Sequence, residues 1–113
     1  PIDLNISLAE VTPKLYNIIR QMAPFGPGNM RPVFISENLQ LVREPRLLKQ
    51  QHLKLEVCQD GCAPLNAIGF RMPHLYELVR ENQPFKMAYS VTENHYEGRT
   101  TLQLEIKDIQ LME

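Results

Sequence analysis

Apolar and polar residues alternate with a period of two in four stretches of this chain. The alternation is strict from His52 to Val57, where leucines and a valine occupy every second position. The same period recurs over residues 65–70, 85–91 and 102–106. Because successive side chains of a strand point to opposite faces, each stretch is predicted to be a strand with one buried face.

Two other stretches follow the helical period. Apolar residues at positions 15, 18, 19 and 22 fall on one helical face, and Pro13 after Thr12 is a typical helix start. Ser7 followed by Glu10 three residues later is a capping box, and residues 2–6 before it alternate like a short strand. A second short helix is predicted within residues 72–82.

The order of these elements predicts a fold. An extended region over residues 39–47, broken at Pro45, precedes the four strands, and the second helix lies between the third and fourth strands of the resulting five. That order is typical of the OB-fold, a partly open Greek-key barrel. Asp60-Gly61 predicts a hairpin turn, and residues 94–99 are predicted to be a loop. We therefore expect a mainly β chain with some α: a five-stranded OB-fold barrel over residues 32–113, preceded by an N-terminal strand, helix and connector over residues 1–31.

Size and charge limit the function. The chain has 113 residues, with 12 basic and 13 acidic side chains and a net charge of −1. One domain is expected at this length. Proteins that bind nucleic acid through bulk charge are usually basic, so any such contact here must come from a local patch. Cys58 and Cys62 are too few for a disulfide scaffold or a zinc site, and we expect ordinary thiols.

We also expect a cytoplasmic setting without membrane contact, since no apolar run approaches ~18 residues and no signal peptide is evident. The first residue is Pro1 and not methionine, which favours a fragment of a longer protein or a processed chain.

Several short motifs occur in an order that is typical of one protein family. They are PFGPGN at 24–29 followed by Pro32, HLKL at 52–55, AIGF at 67–70, and YEGR at 96–99 leading into LQLEIKDI at 102–109. Together they resemble the C-terminal region of RecJ, the bacterial single-strand-specific exonuclease. The resemblance extends over nearly the whole chain and depends on the order of the motifs.

The resemblance implies an OB-fold that holds single-stranded DNA beside a catalytic core of the DHH type. That core binds Mn²⁺ or Mg²⁺ through aspartates and histidines and degrades DNA from the 5′ end, in repair and recombination. The only aspartates in the present sequence are Asp3, Asp60 and Asp108, and it has no Asp-His-His sequence. We therefore expect no catalytic residues, metal site or cofactor in this chain. Its expected partners are single-stranded DNA, the core of the same polypeptide and other repair proteins.

Cationic residues supply the first half of the predicted site. OB-folds bind nucleic acid on the face of strands 2 and 3 and with the loops joining strands 1–2 and 4–5, here predicted at residues 49–51 and 94–99. The cations would neutralise phosphates. The candidates on or beside this face are Lys49, His52, Lys54, Arg71 and Arg99, with Arg31 at the connector. Glu56, Glu93 and Glu97 nearby favour the alternative of an ordinary solvated strand face.

Aromatic residues supply the second half, because every base has a face on which to stack. Alternation places Phe34, Phe70, Phe85 and Tyr89 in the predicted core. Tyr96, in the predicted 4–5 loop, is therefore the first candidate for stacking, and Phe25 the second.

Other readings stay open. PFGPGN lacks the Lys-Ser/Thr pair of a phosphate-binding loop and follows a helix, so a rigid corner is favoured. An OB-fold can instead be a protein-interaction module with little intrinsic DNA binding. A free-standing hydrolase would need a nucleophile–base pair or a metal cluster, and the sequence shows no motif for either.

Overall fold

The structure is a computed structural model that describes residues 3–22 and 31–112. Its elements in chain order are β1 (Asp3–Asn5), a short 3-10 helix (Leu8–Glu10), α1 (Pro13–Gln21), β2 (Val33–Leu41), β3 (Arg46–Leu48), β4 (His52–Cys58), β5 (Leu65–Gly69), α2 (Leu75–Val79), β6 (Phe85–Tyr96) and β7 (Arg99–Leu111). None of the helices in the described residues is long and apolar enough to cross a membrane.

Five strands form a closed circuit of hydrogen bonds. β2 pairs with β6, β6 with β7, β7 with β5 and β5 with β4, and β4 returns to β2. The closing pairs are Gln40 opposite Cys58 and Leu41 opposite Val57. β5 and β7 run parallel, whereas the other four pairings of the circuit are antiparallel. With α2 between the third and fourth strands of the circuit, this is the predicted OB-fold barrel.

Two short strands were not predicted as members of the sheet. β1 adds in parallel to β2, and β3 folds back antiparallel onto β4, so the sheet has seven strands in the described residues. Each of these strands has three residues. β1 lies within the alternating residues 2–6. The extended region predicted as the first barrel strand, residues 39–47, overlaps the end of β2 and most of β3, and β2 begins earlier, at Val33.

The predicted loop over residues 94–99 is wrong. β6 continues to Tyr96 and β7 begins at Arg99, so only Glu97 and Gly98 form the turn. Their φ angles of 50° and 77° match the type I′ turn, whose twist suits a two-residue hairpin. The alternation is lost here because the end of the hairpin extends past the core and both of its faces meet solvent.

The N-terminal segment folds as its capping signals predict. The Ser7 amide donates to Glu10 Oε2 at 2.8 Å, and Thr12 Oγ1 accepts from the Leu15 amide at 3.2 Å. The apolar face of α1 is only partly covered, however. Ile19 is buried, while Ile18 and Met22 are 51% and 46% exposed.

The core combines the inner residues of the barrel with the N-terminal segment. Leu53, Leu55 and Val57 of β4 point inward as predicted, and so do the predicted core aromatics Phe34, Phe85 and Tyr89. Leu8, Val11 and Ile19 belong to the same buried cluster. The division into two parts at residues 31 and 32 stays a prediction. The PFGPGN corner and Phe25 lie outside the described residues.

Phe70 is not a core residue, and its predicted burial is wrong. Ala67 and Gly69 point inward from β5, which leaves Ile68 and Phe70 together on the outer face. A Cβ at Gly69 would lie 3.1 Å from Met72 Sδ, so the inner position has little room for a side chain. The alternation of β5 was predicted correctly. Its inward face was predicted incorrectly, because the inner positions hold the small residues Ala67 and Gly69 and not the large ones.

A buried chain of hydrogen bonds joins β6, β2 and the N-terminal segment. Ser36 Oγ donates to the Ile6 carbonyl oxygen at 2.7 Å, so the Tyr89 hydroxyl must donate to Ser36 Oγ, also at 2.7 Å. Burial raises the pKa of Tyr89 to about 12, with the Glu10 carboxylate adding to the rise and the Ser36 hydrogen bond opposing it. The tyrosine therefore remains a neutral donor throughout the physiological range.

Candidate nucleic-acid interface

The outer face of β3, β4 and β5 carries cationic and apolar side chains in register. Arg46 lies opposite Lys54, and Lys54 lies opposite Ile68 on the next strand. Leu48 lies opposite His52 in the same way. These residues point outward because their neighbours along each strand point into the barrel. We call this surface the basic face, formed by Arg46, Leu48, Lys49, His52, Lys54, Ile68, Phe70 and Arg71.

Arg46 and Lys54 form a like-charged pair directly opposite one another. Such pairs destabilise a sheet. Partial burial, and next to it the charge of Arg46, lower the pKa of Lys54. In the described part of the chain neither side chain forms an ion pair with a carboxylate. An anion placed between them would remove the repulsion, so the pair is suited to a phosphate.

The second feature of the basic face is an aromatic cluster at one end of it. The rings of His52 and Phe70 meet edge to face, with centroids 5.5 Å apart and an interplanar angle of 74°. The Arg71 amide donates to His52 Nδ1 at 3.1 Å. Phe70 is 48% exposed. One ring of the cluster is therefore anchored to the backbone, and the other meets both protein and solvent.

Strained backbone conformations gather at this same end. Lys49, Gln50 and Arg71 have φ angles of 53°, 55° and 58°. Positive φ is unfavourable for residues with long side chains and is common at functional sites, where the surrounding structure enforces it. The Gln51 amide closes the turn by donating to the Leu48 carbonyl at 3.0 Å. Two of these three strained residues are cations that the sequence predicted for the interface.

Acidic residues limit the basic face on its other side. Glu56 is the next outward-facing residue after Lys54 on β4, and its Oε1 accepts from Arg43 Nε at 3.3 Å. Glu105 of β7 lies beside Ile68 and pairs with Lys107 at 3.0 Å. Each of these two acids thus has a cationic partner of its own. A third acid, Glu44, lines the same pocket as Arg46 and Lys54 but forms an ion pair with neither in the described part of the chain.

The remaining predicted residues lie elsewhere. Tyr96 is 68% exposed and faces Arg99 across the end of the β6–β7 hairpin. The parallel strands β5 and β7 place Ile68 beside Glu105. Arg99 lies six residues before Glu105 and Phe70 lies two residues after Ile68, which gives a separation of eight residues. The hairpin tip is therefore roughly 26 Å from Phe70 along the strands, at about 3.3 Å per residue. Arg31 is exposed just before β2.

The structure thus brings together Lys49, His52, Lys54 and Arg71, and it separates them from Tyr96 and Arg99. Sequence reasoning missed Arg46 and Phe70. Arg46 could have been found from the predicted 49–51 loop, since strands paired across a turn at those residues place Arg46 opposite Lys54. Phe70 could have been found from the small residues Ala67 and Gly69, which fit an interior that larger residues fill from other strands.

A groove of about 550 Å³ lies between α1 and the β6–β7 hairpin. Its walls include Tyr16, Leu65, Leu102 and Glu93. No group of three or more His, Cys, Asp or Glu side chains arranged to hold a metal ion occurs within residues 3–22 and 31–112. Cys58 and Cys62 are free thiols and are half-buried.

The fold and this face define an OB-fold domain with cations and an exposed aromatic ring on its β3–β5 surface. A family model described as the RecJ OB domain matches residues 2–108. The chain belongs to the RecJ OB domain family. A search of the curated proteins gives no significant match.

Solved structures agree on the fold. RecJ of Thermus thermophilus, determined with Mn²⁺, superposes with a TM-score of 0.69 at 19% identity over 99% of this chain and 16% of its own length. The mitochondrial single-stranded DNA-binding protein of S. cerevisiae gives 0.56 at 22% identity over 71% of this chain and 91% of its own. The asparaginyl-tRNA synthetase of Entamoeba histolytica gives a TM-score of 0.63 at 10% identity, over 99% of this chain and 24% of its own length. The chain thus spans about a sixth of the Thermus enzyme.

Proposed function

We propose that this chain binds single-stranded DNA through the basic face, as the OB-fold domain of a RecJ-like exonuclease. The observation that carries the proposal is the Arg46–Lys54 pair, two unneutralised cations on the surface that OB-folds use for oligonucleotides. Membership in the RecJ OB domain family and the likeness to a single-stranded DNA-binding protein support the same ligand.

Binding of this kind divides between charge and stacking. Lys and Arg side chains contact phosphates and release counterions, while exposed rings stack on unpaired bases. A duplex keeps its bases stacked on one another, so only a single strand offers both contacts. The basic face has no array of donors and acceptors set in a groove, so we expect little sequence preference.

In the parent protein this domain would hold the strand while a separate core hydrolyses it from the 5′ end. Metal chemistry with Mn²⁺ or Mg²⁺ would belong to the aspartates and histidines of that core and not to this chain. A role in cytoplasmic DNA repair and recombination, with other repair proteins as partners, follows from the same proposal.

The test is fluorescence anisotropy of a labelled single strand of ~15 nucleotides, near the upper site size of one OB-fold, at low and high salt, with a matched duplex alongside. We expect the single strand to bind more tightly, and binding to weaken with salt. The Arg46→Gln/Lys54→Gln double variant should reduce the salt slope by about 1.4, since each phosphate contact on a single strand contributes about 0.7.

The matched control is Lys14→Gln/Arg20→Gln, which removes two exposed cations from α1 and should leave the slope unchanged. Equal loss in both double variants would show that binding follows net charge and not the basic face. Absence of single-strand binding by the wild-type chain at low salt would overturn the proposal.

We further propose that this chain alone does not cleave DNA. Incubation with a labelled single strand and Mn²⁺ should leave the strand intact. Cleavage that a chelator abolishes, and that copurifies with this chain through successive columns, would contradict this.

A second candidate function is docking to the catalytic core of the parent polypeptide. The observation that favours it is the groove between α1 and the β6–β7 hairpin, with Tyr16, Leu65 and Leu102 in its walls. Tyr16→Ala should then weaken association of this chain with a separately expressed core and leave DNA binding by the isolated chain intact.

A further inference from the structure

Phe70 is an exposed aromatic residue whose position is set from three sides. Gly69 before it packs against Met72, and Arg71 after it adopts a positive φ of 58°. His52 contacts both Phe70 and the residue after it, since its ring meets the Phe70 ring and its Nδ1 accepts from the Arg71 amide. A single exposed apolar residue needs no explanation by itself, but one held rigidly beside unneutralised cations does.

The strain at Arg71 argues that this arrangement serves binding. A left-handed conformation is strained for an L-residue such as arginine, whereas glycine would adopt it without that cost. Arginine at this position combines the turn that presents Phe70 with a cation beside the ring. Strained residues of this kind persist where the surrounding structure enforces them, typically at ligand sites.

The distances suit one nucleotide. Lys54 pairs with Ile68, and Phe70 follows Ile68 by two residues, which is roughly 7 Å along the strand. A base stacked on Phe70 would therefore leave its own phosphate near the Arg46–Lys54 pair. Tyr96 has no such cationic pair in register beside it, and its cross-strand partner is the single cation Arg99.

We infer that Phe70 is the base-stacking residue of this domain and that His52 is its positioning residue. The ligand group is an unpaired nucleobase whose phosphate lies on Arg46 and Lys54. This inference rests on the proposed binding of single-stranded DNA and assigns its stacking contact to the basic face instead of the hairpin tip.

His52 acts through a fixed orientation of its ring. Because Nδ1 accepts the Arg71 amide, that nitrogen carries no proton, and the proton of the neutral ring lies on Nε2. The hydrogen bond prevents the imidazole from flipping, so its contact with Phe70 persists. Loss of the acceptor should release both the ring and the turn at Arg71.

The chain contains no tryptophan, so a single substitution places one fluorophore at the site. We would prepare Phe70→Trp and, as the matched control, Tyr96→Trp at the hairpin tip. Each would be titrated with oligothymidine of ~15 nucleotides while anisotropy of a label on the strand reports binding independently. We expect strong quenching of the tryptophan at 70, and quenching lost when every base is replaced by an abasic site.

Removal of the ring gives the second readout. Phe70→Leu keeps an apolar side chain at an exposed position and should weaken single-strand binding by about 5- to 150-fold, since stacking contributes ~1–3 kcal/mol per base. Tyr96→Leu should weaken it less.

The role of His52 is tested by conservative exchange. Asn places its side-chain oxygen near the position of Nδ1 and can still accept from the Arg71 amide, whereas Leu cannot. In the Phe70→Trp background, His52→Leu should reduce the quenching at DNA saturation, and His52→Asn should restore most of it. A role in stability alone would change the affinity or melting temperature without changing that amplitude.

The outcomes separate this inference from the proposed function. Binding by anisotropy with an unquenched tryptophan at 70 and full affinity of Phe70→Leu would overturn the inference and leave the proposed function standing. Quenching at 96 but not at 70 would move the stacking site to the hairpin. Absence of any binding by the wild-type chain would overturn both.

Discussion

Lys49 and Glu97 hold similar positions in two tight hairpin turns and differ in what surrounds them. Both have positive φ, 53° for Lys49 and 50° for Glu97, where asparagine or glycine is the favoured residue. Lys49 belongs to the basic face, whereas Glu97 lies at the exposed end of the β6–β7 hairpin. If the basic face binds DNA as proposed, the positive charge of Lys49 is retained there at a cost in stability.

Replacing each residue with asparagine separates strain from charge. Lys49→Asn and Glu97→Asn should each stabilise the fold by about 0.5–1 kcal/mol, because asparagine tolerates the left-handed region. Only Lys49→Asn should reduce the salt slope of single-strand binding, by about 0.7. Urea unfolding and anisotropy measure the two effects. An unchanged salt slope for Lys49→Asn would remove Lys49 from the interface.

Lys54 gives the binding a pH dependence of its own. Partial burial and Arg46 lower its pKa from the ordinary 10.5, and a bound phosphate would raise it again. Binding should then take up a proton at alkaline pH, so affinity falls as pH rises through the pKa of the unbound lysine. Lys54→Arg, which stays charged, should lack this component. Identical alkaline profiles for the two proteins would contradict the assignment.

At the scale of elements, the barrel and the N-terminal segment are joined by buried polar groups as well as by the core. The chain from Tyr89 through Ser36 to the Ile6 carbonyl crosses β6, β2 and the residues after β1. Gln59 adds a second link, because its side chain accepts from the Leu8 amide and donates to the Glu37 carbonyl, each at 2.7 Å. We therefore expect residues 3–22 to unfold together with the barrel.

The two side chains of the hydrogen-bonded chain, Ser36 in its middle and Tyr89 at its end, should differ in importance. Ser36→Ala leaves the buried Tyr89 hydroxyl without an acceptor and should cost about 1–3 kcal/mol, whereas Tyr89→Phe leaves Ser36 bonded to Ile6 and should cost about 1. The double variant should be no less stable than Ser36→Ala alone, because the stranded hydroxyl is gone. Urea unfolding measures the free energy of unfolding of all three variants, provided that the m-value is unchanged. Strictly additive losses would argue against a connected chain.

At the scale of the whole molecule, the barrel separates two groups of predicted contacts. The basic face with Phe70 lies at one end of the strands, and Tyr96 with Arg99 lies at the other, roughly 26 Å away at about 3.3 Å per residue. A single strand extended to roughly 7 Å per nucleotide, the span proposed between Phe70 and the Arg46–Lys54 pair, would need about 4 nucleotides to reach both. A short strand can therefore contact only one group at a time.

The length of the DNA should thus decide which substitutions matter. The tip variant Tyr96→Ala/Arg99→Gln should bind an oligonucleotide of ~3 nucleotides like the wild type and should bind one of ~15 nucleotides, near the upper site size of one OB-fold, more weakly. Wild-type affinity should rise with length until both groups are reached. Equal weakening at both lengths would place the hairpin tip in the primary site.

Much of this protein follows from local sequence patterns. The strict alternation of β4 determined which of its side chains enter the core, since a one-residue shift would bury His52, Lys54 and Glu56. Capping residues determined the start of α1, and the element order together with the RecJ-like motifs predicted the OB-fold and its family. These features depend on neighbours a few residues apart, which a sequence displays directly.

The tertiary structure decided the rest, because it depended on space and on register between distant segments. Phe70 points outward because Ala67 and Gly69 occupy the inner positions at this end of β5, and a Cβ at Gly69 would lie 3.1 Å from Met72 Sδ. The alternation of that strand cannot reveal which of its two faces is inside. Arg46 lies opposite Lys54 because of the register of the β3–β4 hairpin. Tyr96 lies far from both because the β6–β7 hairpin continues beyond the residues whose apolar alternation predicted it. Sequence alone could therefore predict a surface of cations and an aromatic residue as the candidate site, whereas which of these residues lie together was decided by the fold.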